Sequence, residues 1–239
     1  MVTCFGEALI DFFPSRLGVP LEEVEAFLPL PGGAPANVAV ALSRLEVKSA
    51  FMGKVGDDAF GRLLAGVLRR NGVDLQGLRF DQRVRTTCVF IAQPDPQSQE
   101  FLFFRHFGAD MMFGQEDIDF DLLEKTAVFH FGSLSLTDVP IRETLGEILR
   151  FCQKKKVFIS FDANYRPSLW ESEALARQTI WKVLPLVDLF KVNRRELALL
   201  TQKDSIEEGM IMLLKEVRNI VVTMGGEGAF LGNDSGLKN

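Results

Sequence analysis

"PLPGGAPANVAVALSRL", residues 29–45, places Gly32 and Gly33 side by side at the mouth of a helix. Val38, Ala41, Leu42 and Leu45 recur at three- and four-residue spacing, which predicts that helix and its apolar face. Glycines ahead of a helix let a ligand approach the backbone closely, and the N–H groups of the first turn have no partner within the helix. A second glycine cluster, Gly225, Gly226 and Gly228, stands in "VVTMGGEGAF", residues 221–230.

Working outward, strand-like and helix-like segments alternate. "TCFGEALI" (3–10), "SAFMGKV" (49–55), "TAVFHFGS" (126–133), "KVFISFDAN" (156–164), "VDLFKVN" (187–193) and "RNIVVTM" (218–224) read as buried strands. Helical patterns cover 58–72, 139–155, 172–184, 193–201 and 205–217, the first ending at Gly72. Repeated strand–helix–strand units predict an α/β fold with a mostly parallel sheet and helices on both faces. Two stretches break the rhythm. Residues 12–30 are Pro-rich and mixed, and "TTCVFIAQ" and "QEFLFFRH" flank the polar turn "PDPQSQ" as a hairpin would. Together they predict an antiparallel flap over one edge of the main sheet.

Bulk properties narrow the partners. The 239 residues are 47% hydrophobic and 25% charged, with a net charge of −5. No basic block appears, which argues against nucleic acid, and no apolar run is long enough to span a bilayer. Cys4, Cys88 and Cys152 are odd in number and widely spaced, which predicts a reduced, cytoplasmic protein. His106 and His130 are too far apart to suggest a zinc cluster. The N-terminus lacks the pattern of a signal peptide.

In open α/β sheets, ligands bind beyond the carboxyl ends of the strands. The polar residues expected on that rim are Asp11 at the end of the first strand, Asn37 behind the glycine pair, Arg105 on the flap's second strand and Asp110 just after it. Asp162, Asn164 and Arg166 follow in "FDANYR", then Asn193 and Glu196 in "KVNRRE", and Thr223 with its glycines. Each has a plain structural reading as a turn, a cap or a solvated strand residue. Their convergence on one rim favours a site for a polyhydroxy substrate and a phosphate donor. No GxxxxGK[ST] loop occurs, and no GxGxxG opens the first helix.

The set "GEALIDF", "PGGAPANVAVALSRL", "FMGKVGDDAFG", "FRHFGADMM", "FHFGSLSL", "FDANYRPSLW", "DLFKVNRREL" and "VVTMGGEGAF" resembles the ribokinase-like, or pfkB, carbohydrate kinases, in family order along essentially the whole chain. The resemblance implies a three-layer α/β sandwich with a small β lid, drawn from segments near 12–30 and 84–108 of a single domain. Its closest subgroup is fructokinase, with 2-keto-3-deoxygluconate kinase as the nearest rival and a non-catalytic paralogue, binding sugar or a protein partner, as the reading from another class. By resemblance, Asp11, Gly32, Gly33 and Asn37 contact the sugar hydroxyls, joined by Asp162 and Asn164, while Arg105 and Arg166 close over the sugar or meet its anionic parts. Asn193, Glu196, Thr223, Gly225 and Gly228 fall where the family holds Mg-ATP, with Glu196 on the metal side. The resemblance also leaves room for K+ activation and for a homodimer through the flap. One departure stands out. The family's Gly-Ala-Gly-Asp motif, which carries the catalytic base, does not occur in these residues, so no catalytic residue is assigned and the sequence is expected to stop short of the full family fold.

Overall fold

The structure is a computed structural model and describes residues 1–95, 98–233 and 236–238. In chain order the strands are β1 (Val2–Phe5), β2 (Leu9–Pro14), β3 (Phe27–Gly32), β4 (Ser49–Gly56), β5 (Asp74–Asp81), β6 (Cys88–Asp95) and β7 (Ser98–Phe104). They continue with β8 (Val128–Gly132), β9 (Phe158–Asp162), β10 (Leu189–Asn193), β11 (Asn219–Thr223), β12 (Ala229–Asn233) and β13 (Gly236–Lys238). The helices are α1 (Ala34–Arg44), α2 (Ala59–Arg70), α3 (Phe120–Glu124), α4 (Ile141–Lys155), α5 (Glu173–Val183), α6 (Arg194–Thr201) and α7 (Ile206–Leu213).

Two sheets result. The larger has the order β13-β12-β11-β10-β9-β8-β1-β4-β5, parallel from β11 to β5, with β12 and β13 turned antiparallel. The smaller has the order β3-β2-β6-β7. It is mixed rather than wholly antiparallel, because β2 and β6 run parallel. Its first strand also begins earlier than the sequence suggested. "TCFGEALI" is not one strand: Gly6, at φ +139°, redirects the chain between β1 and β2. Asp11 therefore sits inside the small sheet, opposite Leu30 and Val89, and not at the end of a main-sheet strand.

The core is laid down by register. Phe5 pairs with Phe131, Phe131 with Phe161 and Phe161 with Phe190, a row of rings across β1, β8, β9 and β10. The Phe131 and Phe161 rings stack at 4.5 Å and those of Phe161 and Phe190 lie 5.0 Å apart. This row joins Ile148, Leu149 and Ile180 of α4 and α5 in the larger core, while Cys4, Phe51 and Val55 point the other way against Ala36, Ala39 and Leu64 of α1 and α2. Alternate residues of one strand thus feed opposite faces, as the pleat requires. Beyond β1 the second face is less covered: Val128, His130, Ser160, Leu189, Lys191 and Val221 are half-buried.

The helical face expected on α1 is shifted. Val38 and Leu42 pack against the core as expected, but Ala41 and Leu45 are exposed, and Pro35, Ala36 and Ala39 complete the contact. Gly72 does end α2, taking φ +77° just past Asn71.

Candidate active site

The residues are placed by four crossings of the chain between the sheets. Leu9, Asp11, Val89, Ile91, Phe101 and Phe103 project from the small sheet; Glu7, Gly33, Ala34, Asn37, Leu134, Asn164 and Arg166 come from the body. They enclose a cavity of about 150 Å³. Five of the eight sugar-site residues expected from the sequence therefore meet: Asp11, Gly33, Asn37, Asn164 and Arg166. Burial pushes the Asp11 carboxyl up to about 6, with Arg166 pulling the other way. Arg166 also lies over the Phe101 ring at 5.6 Å, so a body residue and the small sheet touch across the cavity. Asn164 holds φ +35° and donates its N–H to Asp162.

Three expected residues are not there. Gly32 lines no part of this cavity; its missing Cβ makes room for the Asp11 carboxyl, which a methyl would meet at 2.0 Å. Gly33, at φ +102°, similarly clears the Glu7 carbonyl. The Cβ positions of both are thus filled by the protein, and of the pair only Gly33 faces the cavity. Asp162 turns away, accepting Lys191 Nζ at 3.1 Å. Arg105 is 3% exposed and each of its three nitrogens has a partner: Nε donates to Asp110 at 2.7 Å, NH1 to Thr137 and NH2 to the Leu134 carbonyl. It ties the fold together and does not reach the sugar cavity.

A second rim lies at the carboxyl ends of β10 and β11, where Asn193 and Thr223 are register partners. The turn after β11 carries Gly225 at φ +61° and Gly228 at φ +99°, and a Cβ at 225, 226 or 228 would meet nothing within 4 Å. At these glycines, unlike Gly32 and Gly33, the Cβ position is open. Asn193 caps α6 by accepting the Glu196 N–H. Glu196 is 5% exposed, and both its oxygens are engaged, with the N–H groups of Tyr165 and Asn193. Glu196 thereby anchors the start of α6 and the backbone at Tyr165. Among the described residues no cluster of three or more His, Cys, Asp or Glu side chains could hold an ion. Sequence reasoning missed Glu7 and Lys191. An acidic residue within the apolar run 3–10 was the available signal for the first; Lys191 alternates with buried Phe190 and Val192.

The pfkB family carbohydrate kinase model matches residues 1–238. The chain belongs to the pfkB family of carbohydrate kinases. It is 42% identical over 248 residues to probable fructokinase-7 of Arabidopsis thaliana, covering all of this chain and 72% of that protein. It is 42% identical to fructokinase-1 of Zea mays, across 95% of this chain and 71% of the other. Among solved structures it is similar to a Vibrio cholerae fructokinase double mutant with fructose, ADP and potassium ion bound, at 32% identity and a TM-score of 0.89, covering 99% of this chain and 74% of that one. A sugar kinase of Pyrococcus horikoshii in complex with ATP gives 31% identity and a TM-score of 0.89, covering 100% and 76%. Like these kinases, this pfkB chain is α/β with a mostly parallel central sheet, and no described helix is long and apolar enough to cross a membrane.

Proposed function

We propose that the protein is an ATP-dependent fructokinase, transferring the γ-phosphoryl group to a primary hydroxyl of fructose to give fructose 6-phosphate. The carrying observation is the cavity between the two sheets, roomy enough for one sugar ring and lined by Asp11, Asn37, Asn164 and Arg166. Asp11 and Asn37 accept and donate to neighbouring hydroxyls, and the apolar walls, Leu9, Val89, Ile91, Phe101 and Phe103, keep water from the acceptor. The nucleotide phosphates lie along the open turn at Gly225–Gly228, beside Asn193 and Thr223. Phosphoryl transfer on such a frame is mainly positioning and charge stabilisation. No residue between 1 and 239 is assigned as the base. Mg2+ accompanies the nucleotide in this reading, and K+ remains a candidate activator; no step is routed through either.

A keto-acid sugar is the weaker reading, because its carboxylate would want paired cations and Arg105 is spent on Asp110. The test is a sugar panel with ATP, reading kcat/KM. Fructose should lead; 2-keto-3-deoxygluconate ahead by orders of magnitude would overturn the assignment. Asp11→Ala should weaken fructose about 5- to 150-fold, the worth of a hydroxyl's charged partner, and leave binding of an ATP analogue unchanged. Equal losses would make Asp11 structural. Free Cys4, Cys88 and Cys152 suit a reducing compartment, and we place the protein in the cytoplasm. We also propose a homodimer through the small sheet.

A further inference from the structure

Glu7 lies in the first crossing between the sheets and is 3% exposed. Its Oε1 accepts the N–H of Ala34, the first residue of α1, at 2.9 Å. Its Oε2 is enclosed and has no hydrogen-bond partner. We propose that Glu7 is a positioning residue of the sugar cleft: as a carboxylate it holds the start of α1, and with it Gly33, Ala34 and Asn37, in the form that binds sugar.

This deepens the sugar-cleft reading above and rests on it. A glutamine would make the same bond to Ala34 without burying a charge, so the ionisable group needs a reason beyond the hydrogen bond. The α1 N-terminus supplies one, since it favours a negative charge over a neutral acid. Other groups face Glu7 as well. Asp110, from the segment after β7, opposes the charge; Arg105, at the end of β7, favours it. Across the cavity stand Asp11 and Arg166. Burial dominates this balance and pushes the Glu7 carboxyl up to about 7. Charge in this first crossing therefore changes within the neutral range. Ser135 Oγ, also buried without a partner, lies beside Gly6, where a Cβ would meet it at 2.9 Å. The turn that carries Glu7 thus has a second unpartnered polar atom beside it.

The test is calorimetry on the intact protein at pH 6.5 and 8.5, with fructose or the panel sugar that binds best. If only the ionised forms bind, affinity should rise about fivefold between these values, about fourfold from Glu7 and about 1.3-fold from Asp11. Glu7→Gln keeps the acceptor for Ala34 and should flatten that rise to about 1.3-fold, the remainder belonging to Asp11. At pH 7, titrations in buffers of different ionisation enthalpy should show proton release on sugar binding by the wild type and almost none by Glu7→Gln. Glu7→Ala, which loses the Ala34 contact, should raise the sugar KM with kcat and the ATP KM little changed, and Glu7→Gln should recover most of that loss at pH 6.5. An unchanged pH slope in Glu7→Gln overturns the role of Glu7 alone. A protein that binds no sugar of the panel overturns the cleft and Glu7 together.

Discussion

Glu7 carries a stability cost that can be read apart from sugar binding. Its pKa is raised from 4.5 to about 7. Between those values the folded protein keeps a proton that the unfolded chain has released. Stability therefore falls as pH climbs through that window, and the whole cost, about 3 kcal/mol, is in place above pH 7. Glu7→Gln removes it. Thermal melts should show the variant matching the wild type below pH 4.5 and exceeding it at pH 8 by up to about 6–12 °C. Asp11 is raised for the same chief reason, burial, but is present in both proteins and cancels. Equal melting points at pH 8 would mean that Glu7 is not buried as a charge. The glycines show how far single residues could be read. That Gly32 and Gly33 mattered was visible in the sequence. That they serve to clear Asp11 and the Glu7 carbonyl was not, because those contacts join segments about twenty residues or more apart.

At the scale of elements, legibility followed burial. Strands β8 to β11 are short runs of Phe, Ile and Val, and their periodicity announced a parallel sheet before any register was known. Strand β5, "DLQGLRFD", had no such signal: it is an edge strand, and its alternate residues face solvent. The break between β1 and β2 was hard to see because apolar residues flank it closely and only Gly6 and Glu7 mark the turn. The hairpin of β6 and β7 was legible; Pro96 and Gln97 of its turn lie outside the described residues. The same hairpin supports the dimer proposal. Leu102 and Phe104 are 47% and 61% exposed, beside an apolar cleft of about 390 Å³ formed with Leu21, Phe27 and Phe90. Contiguous exposed apolar surface on a sheet suits burial against a second copy. Sedimentation should give twice the monomer mass, and Phe104→Asp should shift it towards monomer. A wild type that stays monomeric at micromolar concentration would sink the proposal.

The whole molecule is two sheets joined by four chain crossings, and one polar network ties them. Glu7 in the first crossing holds Ala34 beyond the second. Thr87, ending the third, donates to Asp110, and Arg105, opening the fourth, donates to the same carboxylate. Arg105 continues to Thr137 and the Leu134 carbonyl in the body, and the Ile10 N–H is held by Thr87 O at 3.0 Å. With side-chain exposures of 3% and 1%, Arg105 and Asp110 are worth far more than a surface pair when one partner is lost. Asp110→Asn keeps size and shape but leaves the buried guanidinium with only the half-exposed Asp138, 3.9 Å from NH1, as a counter-charge, a change that costs about 3–5 kcal/mol. In a protein of this length that amounts to a melting-point drop of roughly 6–20 °C. Since the network joins the sheets, the loss should also appear locally. Hydrogen exchange should speed up at Ile10, Ala34 and Ala109, whose N–H groups bond to Thr87, Glu7 and Arg85 across the crossings. Exchange in β9 and β10, deep in the larger sheet, should change far less. Acceleration spread evenly over both sheets would mean that the two unfold as one body and that the network is not their joint.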